Sequence, residues 1–206
     1  MTEHQIKIVA EAKRVVTNII QHKVSPSFVF HNIHHTQDVA SSVQVLAGHY
    51  QLCDVDEFIL FVSAWFHDTG FSTGRLEGHE EESIKLATLF LNQYKADTTT
   101  INLVSSCIHA TCMPQAPSQI LEKILCDADL YHLGTSAYLE WSNLLKQELM
   151  HYHKNDISDE KWRQDNIGFL RAHNFCTVHG QQILEPVKQG WITHLAHAPT
   201  AIIKHG

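Results

Sequence analysis

Residues 31–38 read HNIHHTQD, residues 65–70 read WFHDTG and residues 127–129 read DAD, in a chain with 17 histidines among 206 residues. Imidazole and carboxylate groups are the usual ligands of a catalytic divalent metal, which several rigid elements must hold while at least one coordination position stays open to water or substrate. His35, His67, Asp68 and Asp129 are candidates for such a set. Each also has a plainer reading. A His-Asp pair can be a solvated helix end, an Asp-x-Asp a surface or capping feature, and His35 beside His34 an ordinary first turn. Position argues for the chemical reading: His67 and Asp68 close the segment FILFVSAWFHD, which is apolar almost all round, and burying an unpaired carboxylate there is very costly. A metal ion would remove that objection.

The elements that must deliver these residues read as helices, because apolar residues recur at helical spacing nearly throughout. Ile8, Ala12, Val15, Val16 and Ile19 mark a first helix, and Val39, Val43, Leu46 and Tyr50 mark a second, which His35 opens. Asp54 with Glu57 reads as a capping box for the third, which ends on His67 and Asp68. GHEEESIKLATLFL begins a fourth after the loop from Gly74 to Gly78, with acidic residues in its first turn where the helix dipole favours them. Ile101, Val104 and Ile108 pattern a fifth, broken by the stretch from Pro114 to Pro117. Ser118 is placed to cap a sixth, QILEKILCDADLYHL, which carries Asp129 and ends at Gly134. Three further helical patterns cover about 136–152, 159–172 and 177–197. No run of alternating β-branched residues bounded by hairpin turns competes, so the expected fold class is all-α. With 44% apolar residues the chain can bury one sizeable core, and a single domain over residues 1–206 is expected.

Composition narrows the partners. The 15 Lys and Arg against 22 Asp and Glu leave a formal charge of −7 without any basic block, which disfavours long nucleic acid and suits a small soluble substrate. Polar residues interrupt MTEHQIKIVAEAKRVV, and no apolar run reaches the roughly eighteen residues of a membrane span, so a cytoplasmic protein with no membrane partner is expected. Cys53, Cys107, Cys112, Cys126 and Cys176 are scattered and odd in number, the pattern of reduced thiols. A zinc corner of Cys107, His109 and Cys112 lacks the second Cys/His pair that structural zinc spacing requires.

The order of the candidate ligands, His35, then His67 with Asp68, then Asp129, each on a separate expected helix, resembles the HD-domain superfamily of metal-dependent phosphohydrolases. The resemblance covers roughly residues 28–135 and is carried by FHNIHHTQDV, AWFHDTGF, GHEEES, IHATCMP and LCDADLYHLG. The likeness extends to the bacterial proteins described as predicted metal-dependent HD phosphohydrolases, which the tail WRQDNIGFLRAHNFCT also resembles. It implies an HD-domain-like helical bundle over about 28–135 with additional C-terminal helices over about 136–206. His35 would fill the first metal position, His67 and Asp68 the signature pair, and Asp129 the last carboxylate. Asp129 is preferred to Asp127 because the superfamily's ligand precedes the residue occupied here by Leu130, and Asp127 would then support it.

The activity implied is hydrolysis of a phosphomonoester or phosphodiester, on a nucleotide or similar small phosphate, by water activated on one or two divalent ions (Mn, Mg, Fe, Co, Ni or Zn). HNIHH matches the H-N-x-x-H stretch of cyclic-nucleotide phosphodiesterases, in which the first histidine protonates the leaving oxygen, a role that falls here on His31. Asp68 would hold the nucleophile as well as the metal. The order H…HD…H…H…D resembles the dinuclear members and nominates His79 and His109 as ligands of a second ion. Both also read as helix caps or phosphate contacts. On a helix His79 shares a face with Ser83 and Leu86. Arg75 and Lys85, beside the His-Asp pair in sequence, are candidate phosphate clamps. Thr69, Gly70 and Phe71 stand where the cyclic-di-GMP-degrading subgroup has a lysine and a Gly-Tyr-Pro signature, which disfavours that substrate. Two rival functions carry over with the same fold: an HD-fold diiron oxygenase and a non-catalytic nucleotide-binding regulator.

Overall fold

A helix apolar on every side has to lie where other helices can cover all of it, and the segment preceding the His-Asp pair does so. In the computed structural model, which describes residues 1–197, it forms α3 (Asp54–Phe66) and buries Phe58, Ile59, Leu60, Val62, Ser63, Ala64, Trp65 and Phe66. Its one buried hydroxyl, on Ser63, donates back to the Ile59 carbonyl at 2.8 Å, so no polar group is stranded. Around it pack α1 (Glu3–Lys23), α2 (Ile33–Ala47), α4 (His79–Gln93), α5 (Thr98–Ala110) and α6 (Ile120–Asp129), all of which touch α3. These six helices form one compact unit, Met1–Asp129.

A second compact unit begins at Leu130. It contains α7 (Tyr138–His153), α8 (Asp159–Ala172) and α9 (Glu185–His197), the last preceded by a π-helical turn at Gly180–Leu184. Residues 198–206, the end of the expected C-terminal extension, lie outside the described residues. Tyr138, Ile167, Leu170, Phe175, Leu184, Ile192 and Leu195 make its core. The polar residues of WRQDN stitch it together: Trp162 Nε1 donates to Ser142 Oγ (3.0 Å), Ser142 and Tyr138 hydroxyls both donate to Asn166 Oδ1 (2.9 and 2.5 Å), and Arg163 reaches the Leu195 carbonyl at 2.7 Å. Buried Lys188 is likewise satisfied, by the His173 carbonyl and by Glu185 at 2.9 Å. Among the described residues there are nine α-helices and no strand, so the fold class is all-α.

Two helix starts differ from the sequence reading. Asp54 and Glu57 do not cap α3; Cys53 occupies the capping position and its N–H donates to Asp56 (3.4 Å), while Asp54 and Glu57 receive the Met1 ammonium at 2.8 and 3.0 Å. Asp54 already has helical geometry, and so cannot turn its side chain onto the N–H groups ahead of it. Ser118 does not cap α6 either. The helix opens at Ile120, with Gln119 O accepting from Lys123 N, and Ser118 donates to the Glu122 carboxylate through both its N–H (2.7 Å) and its hydroxyl (3.0 Å). The sixth helix also stops at Asp129 rather than near Gly134, because a 3₁₀ turn at Tyr131–Gly134 takes over.

Candidate metal centre

Local chemistry sets each candidate ligand at a helix end. Asn32 is the N-cap of α2: its Oδ1 accepts from the N–H groups of His34 (2.7 Å) and His35 (3.4 Å), which fixes His35 in the first turn. At the other end of α3 the chain leaves helical geometry after His67, and Thr69 Oγ1 donates to the buried Phe66 carbonyl at 2.8 Å. A 3₁₀ turn, Thr69–Thr73, then carries Gly70 against the start of α4. A Cβ on Gly70 would lie 1.8 Å from the His79 carbonyl oxygen, so only glycine allows this approach, and the Gly70 N–H donates to buried Ser83 Oγ at 2.8 Å. That contact sets His79 beside Asp68.

The four candidate ligands of the first site meet. His35 Nε2 lies 3.1 Å from Asp129 Oδ1, 3.3 Å from Asp68 Oδ2 and 3.4 Å from His67 Nε2; His67 Nε2 lies 3.2 Å from Asp68 Oδ2 and 3.5 Å from Asp129 Oδ1. A tetrahedral ion with ligands at about 2.0–2.2 Å spaces its donor atoms by about 3.3–3.6 Å, and neighbouring ligands of an octahedral ion stand about 3.0 Å apart. These five separations, each made by an imidazole nitrogen, fall in that span. His35, His67 and Asp129 are, among the described residues, the one group of three or more His, Cys, Asp or Glu side chains whose donor atoms all lie within 4.8 Å of one another. Hydrogen bonding alone accounts poorly for the fourth member, because Asp68 Oδ2 is buried without a hydrogen-bond partner. The ring orientation suits a ligand too: His67 Nδ1–H donates to the Ala64 carbonyl at 2.9 Å, leaving Nε2 directed at the cluster.

Electrostatics point the same way. Asp68 follows the C-terminal end of α3 and Asp129 closes α6, where the negative ends of the helix dipoles disfavour carboxylates. His35 and His79 stand in the first turns of α2 and α4, where the positive end disfavours an imidazolium. Burial pushes the Asp68 carboxyl up, but the His67 charge and the His67 and His79 side chains outweigh it and hold it well below the usual range. Burial likewise opposes ionisation of Asp129, and His35 and His67 overcome it, holding the carboxyl low. For His67 burial favours the neutral ring, yet Asp68 and Asp129 raise its pKa well above the ordinary value. Two carboxylates thus stay ionised in a buried site and draw positive charge to it.

Next to the cluster stands a second layer of rings. His79 Nε2 lies 3.6 Å from Asp68 Oδ1, the oxygen turned away from the other donors, while His79 Nδ1–H donates to the Leu76 carbonyl at 2.7 Å. His31 and His79 both lie within 23° of parallel to the buried Phe71 ring, at centroid distances of 4.2 and 4.0 Å, and 6.2 Å from each other. Phe71 therefore holds two imidazoles at one edge of the cluster. Asp127 is buried on α6 and is not among the donor atoms.

Other sequence candidates are not gathered. His109 is exposed at the end of α5, because Val104, Cys107 and Ile108 occupy the face that packs, and its Nδ1 lies 3.8 Å from Cys112 Sγ. Cys107 is buried, with its thiol pushed up to about 12 by burial, so no zinc corner forms with His109 and Cys112 among the described residues. Lys85 is six residues beyond His79, about 240° around the helix, and is exposed and paired with Glu82 at 3.0 Å. Arg75 is exposed in the loop between Gly74 and Gly78, both at φ +74°. The sequence reading missed Asn32, Gly70, Phe71 and Gln115. An asparagine ahead of a helical pattern could have marked the cap, but nothing local marks the contacts of the other three. No family model, curated protein or solved structure matches the chain.

Proposed function

We propose that the chain is a metal-dependent phosphoric ester hydrolase, a phosphomonoesterase or phosphodiesterase acting on a nucleotide or similar small phosphate, with one divalent ion held by His35, His67, Asp68 and Asp129. The observation that carries the proposal is the pair of imidazole nitrogens, His35 Nε2 and His67 Nε2, 3.4 Å apart and each 3.1–3.5 Å from an oxygen of Asp68 and an oxygen of Asp129, with the Asp68 oxygen buried and without a hydrogen-bond partner. Two imidazoles and two carboxylates suit Mn, Fe, Co, Ni or Zn better than Mg, which prefers an all-oxygen shell. When bound, the ion supplies Lewis acidity, acidifying water and offsetting charge on the phosphoryl oxygens. Asp68 Oδ1, which is not one of the four donors, accepts a hydrogen bond from the attacking water and orients it. His79 pairs through Nε2 with a phosphoryl oxygen, and His31 gives a proton to the departing ester oxygen. The HD-superfamily resemblance supports these roles.

Elemental analysis of the purified protein, paired with phosphate release from a panel of nucleotides and cyclic nucleotides under Mn, Mg, Co, Ni, Fe and Zn, tests the proposal. Asp68→Ala is expected to lose both bound metal and hydrolysis while keeping its helical circular dichroism. Full metal and activity in that variant would overturn the assignment. Oxygen consumption without phosphate release would replace hydrolysis by the oxygenase reading, and a protein that takes up no metal would leave the regulator.

A further inference from the structure

We infer that Gln115 is a positioning residue for Asp129, delivered by the connection between α5 and α6; the inference rests on the metal reading above. Gln115 Nε2 donates to Asp129 Oδ2 at 3.3 Å, while Asp129 Oδ1 faces His35 at 3.1 Å and His67 at 3.5 Å. The two carboxylate oxygens thus have different partners. The terminal torsion of an aspartate is broad and roughly two-fold, so a donor on Oδ2 is what keeps Oδ1 turned into the cluster. A neutral amide does this without bringing a positive charge that would repel the ion.

The connection, residues 111–119, is built for the task. Glu122 is buried, and its carboxylate accepts from Ser118 N–H (2.7 Å), Ser118 Oγ (3.0 Å), Gln119 N–H (3.1 Å) and, from α5, Ser106 Oγ (2.6 Å). Cys126 Sγ donates to the Ala110 carbonyl at 3.1 Å, fastening the other end. Glu122, Cys126 and Asp129 are spaced i, i+4, i+7, so one stripe of α6 anchors both ends of the connection and carries the ligand that Gln115 holds.

The test uses metal-free full-length protein titrated with Co²⁺, read by calorimetry and by the visible absorption of the bound ion. Gln115→Met keeps the side chain's length and removes its donor; Gln115→Ala removes both. Each is expected to bind Co²⁺ about 10–100-fold more weakly and to shift its visible bands, with the metal-free thermal midpoint unchanged. Wild-type affinity and spectrum in both variants would overturn the inference and leave the metal reading standing. A fall in metal-free stability in step with affinity would assign Gln115 to the fold instead. Failure of the wild type to bind Co²⁺ would strike the metal reading itself.

Discussion

Gly70→Ala is the sharpest test of how the first unit assembles its site. The new Cβ would meet three backbone atoms of His79, the oxygen at 1.8 Å, the carbonyl carbon at 2.6 Å and Cα at 2.9 Å. A carbon–oxygen contact relaxes only at about 3.3–3.6 Å, so the 3₁₀ turn and the start of α4 must part by roughly 1.5 Å. Backbone on both sides leaves no flexible side chain to yield. Overpacking of this kind costs about 1–3 kcal/mol, and at about 2–4 °C per kcal/mol for a chain of this length the thermal midpoint should fall by about 2–12 °C. The same movement carries His79 away from Asp68, now 3.6 Å from it, and opens its stack on Phe71. A displacement of about 1 Å near reacting groups can reduce a rate by about 10²-fold, so phosphate release should fall by at least that factor. Calorimetry measures the first effect and a steady-state phosphate assay the second. A variant that melts within about 1 °C of the wild type and turns over at its rate would refute the argument that glycine is required there.

His31→Ala should retain its metal yet lose about 10²–10⁴-fold in rate on esters with poor leaving groups, the usual range for acid–base catalysis, and much less on nitrophenyl esters; equal losses on both would make His31 a substrate contact. Glu122→Gln tests the anchor of the α5–α6 connection by pH. Burial raises the Glu122 carboxyl, but the donors from Ser106, Ser118 and Gln119 outweigh it, so its folded pKa lies below the ordinary 4.5. The stability this contributes is therefore fully present above pH 4.5 and lost as pH falls through the folded value. Denaturant unfolding should show wild type and variant separated at pH 7 and converging as the pH falls from 4.5 through the folded value; a gap that persists unchanged into acid would contradict the pairing.

The helices and four members of the cluster were legible in the chain itself, for reasons of range. A 3.6-residue apolar period, a proline break and an acidic first turn act between near neighbours, and they located the helices to within a few residues except at the end of α6 and the start of α9, where 3₁₀ and π-helical turns take over. His67 and Asp68 could be nominated because ionisable groups at the end of an apolar helix are costly without a partner, while the weight on His35, and on Asp129 over Asp127, came from the order of residues that resembles the HD-domain superfamily. The capping errors at Asp54 and Ser118 were local too: two acidic or hydroxyl residues near a helix start compete for one role, and a one-residue shift in that start decides between them. What only the tertiary structure decided was which side of each helix is covered. His79 and His109 are equally plausible ligands by type, but Ser83 and His79 share the face of α4 packed against Gly70, whereas Cys107 and Ile108 take the covered face of α5 and leave His109 in solvent. Lys85 fell to the exposed side of α4 by the same rotation. Gln115 and Phe71 carry no local signal, because their partners, Asp129 and the two imidazoles, are reached through loop closure and ring packing between segments distant in the chain. Periodicity specifies that a helix has an apolar side; only the packing of its neighbours selects the polar atoms that side brings together.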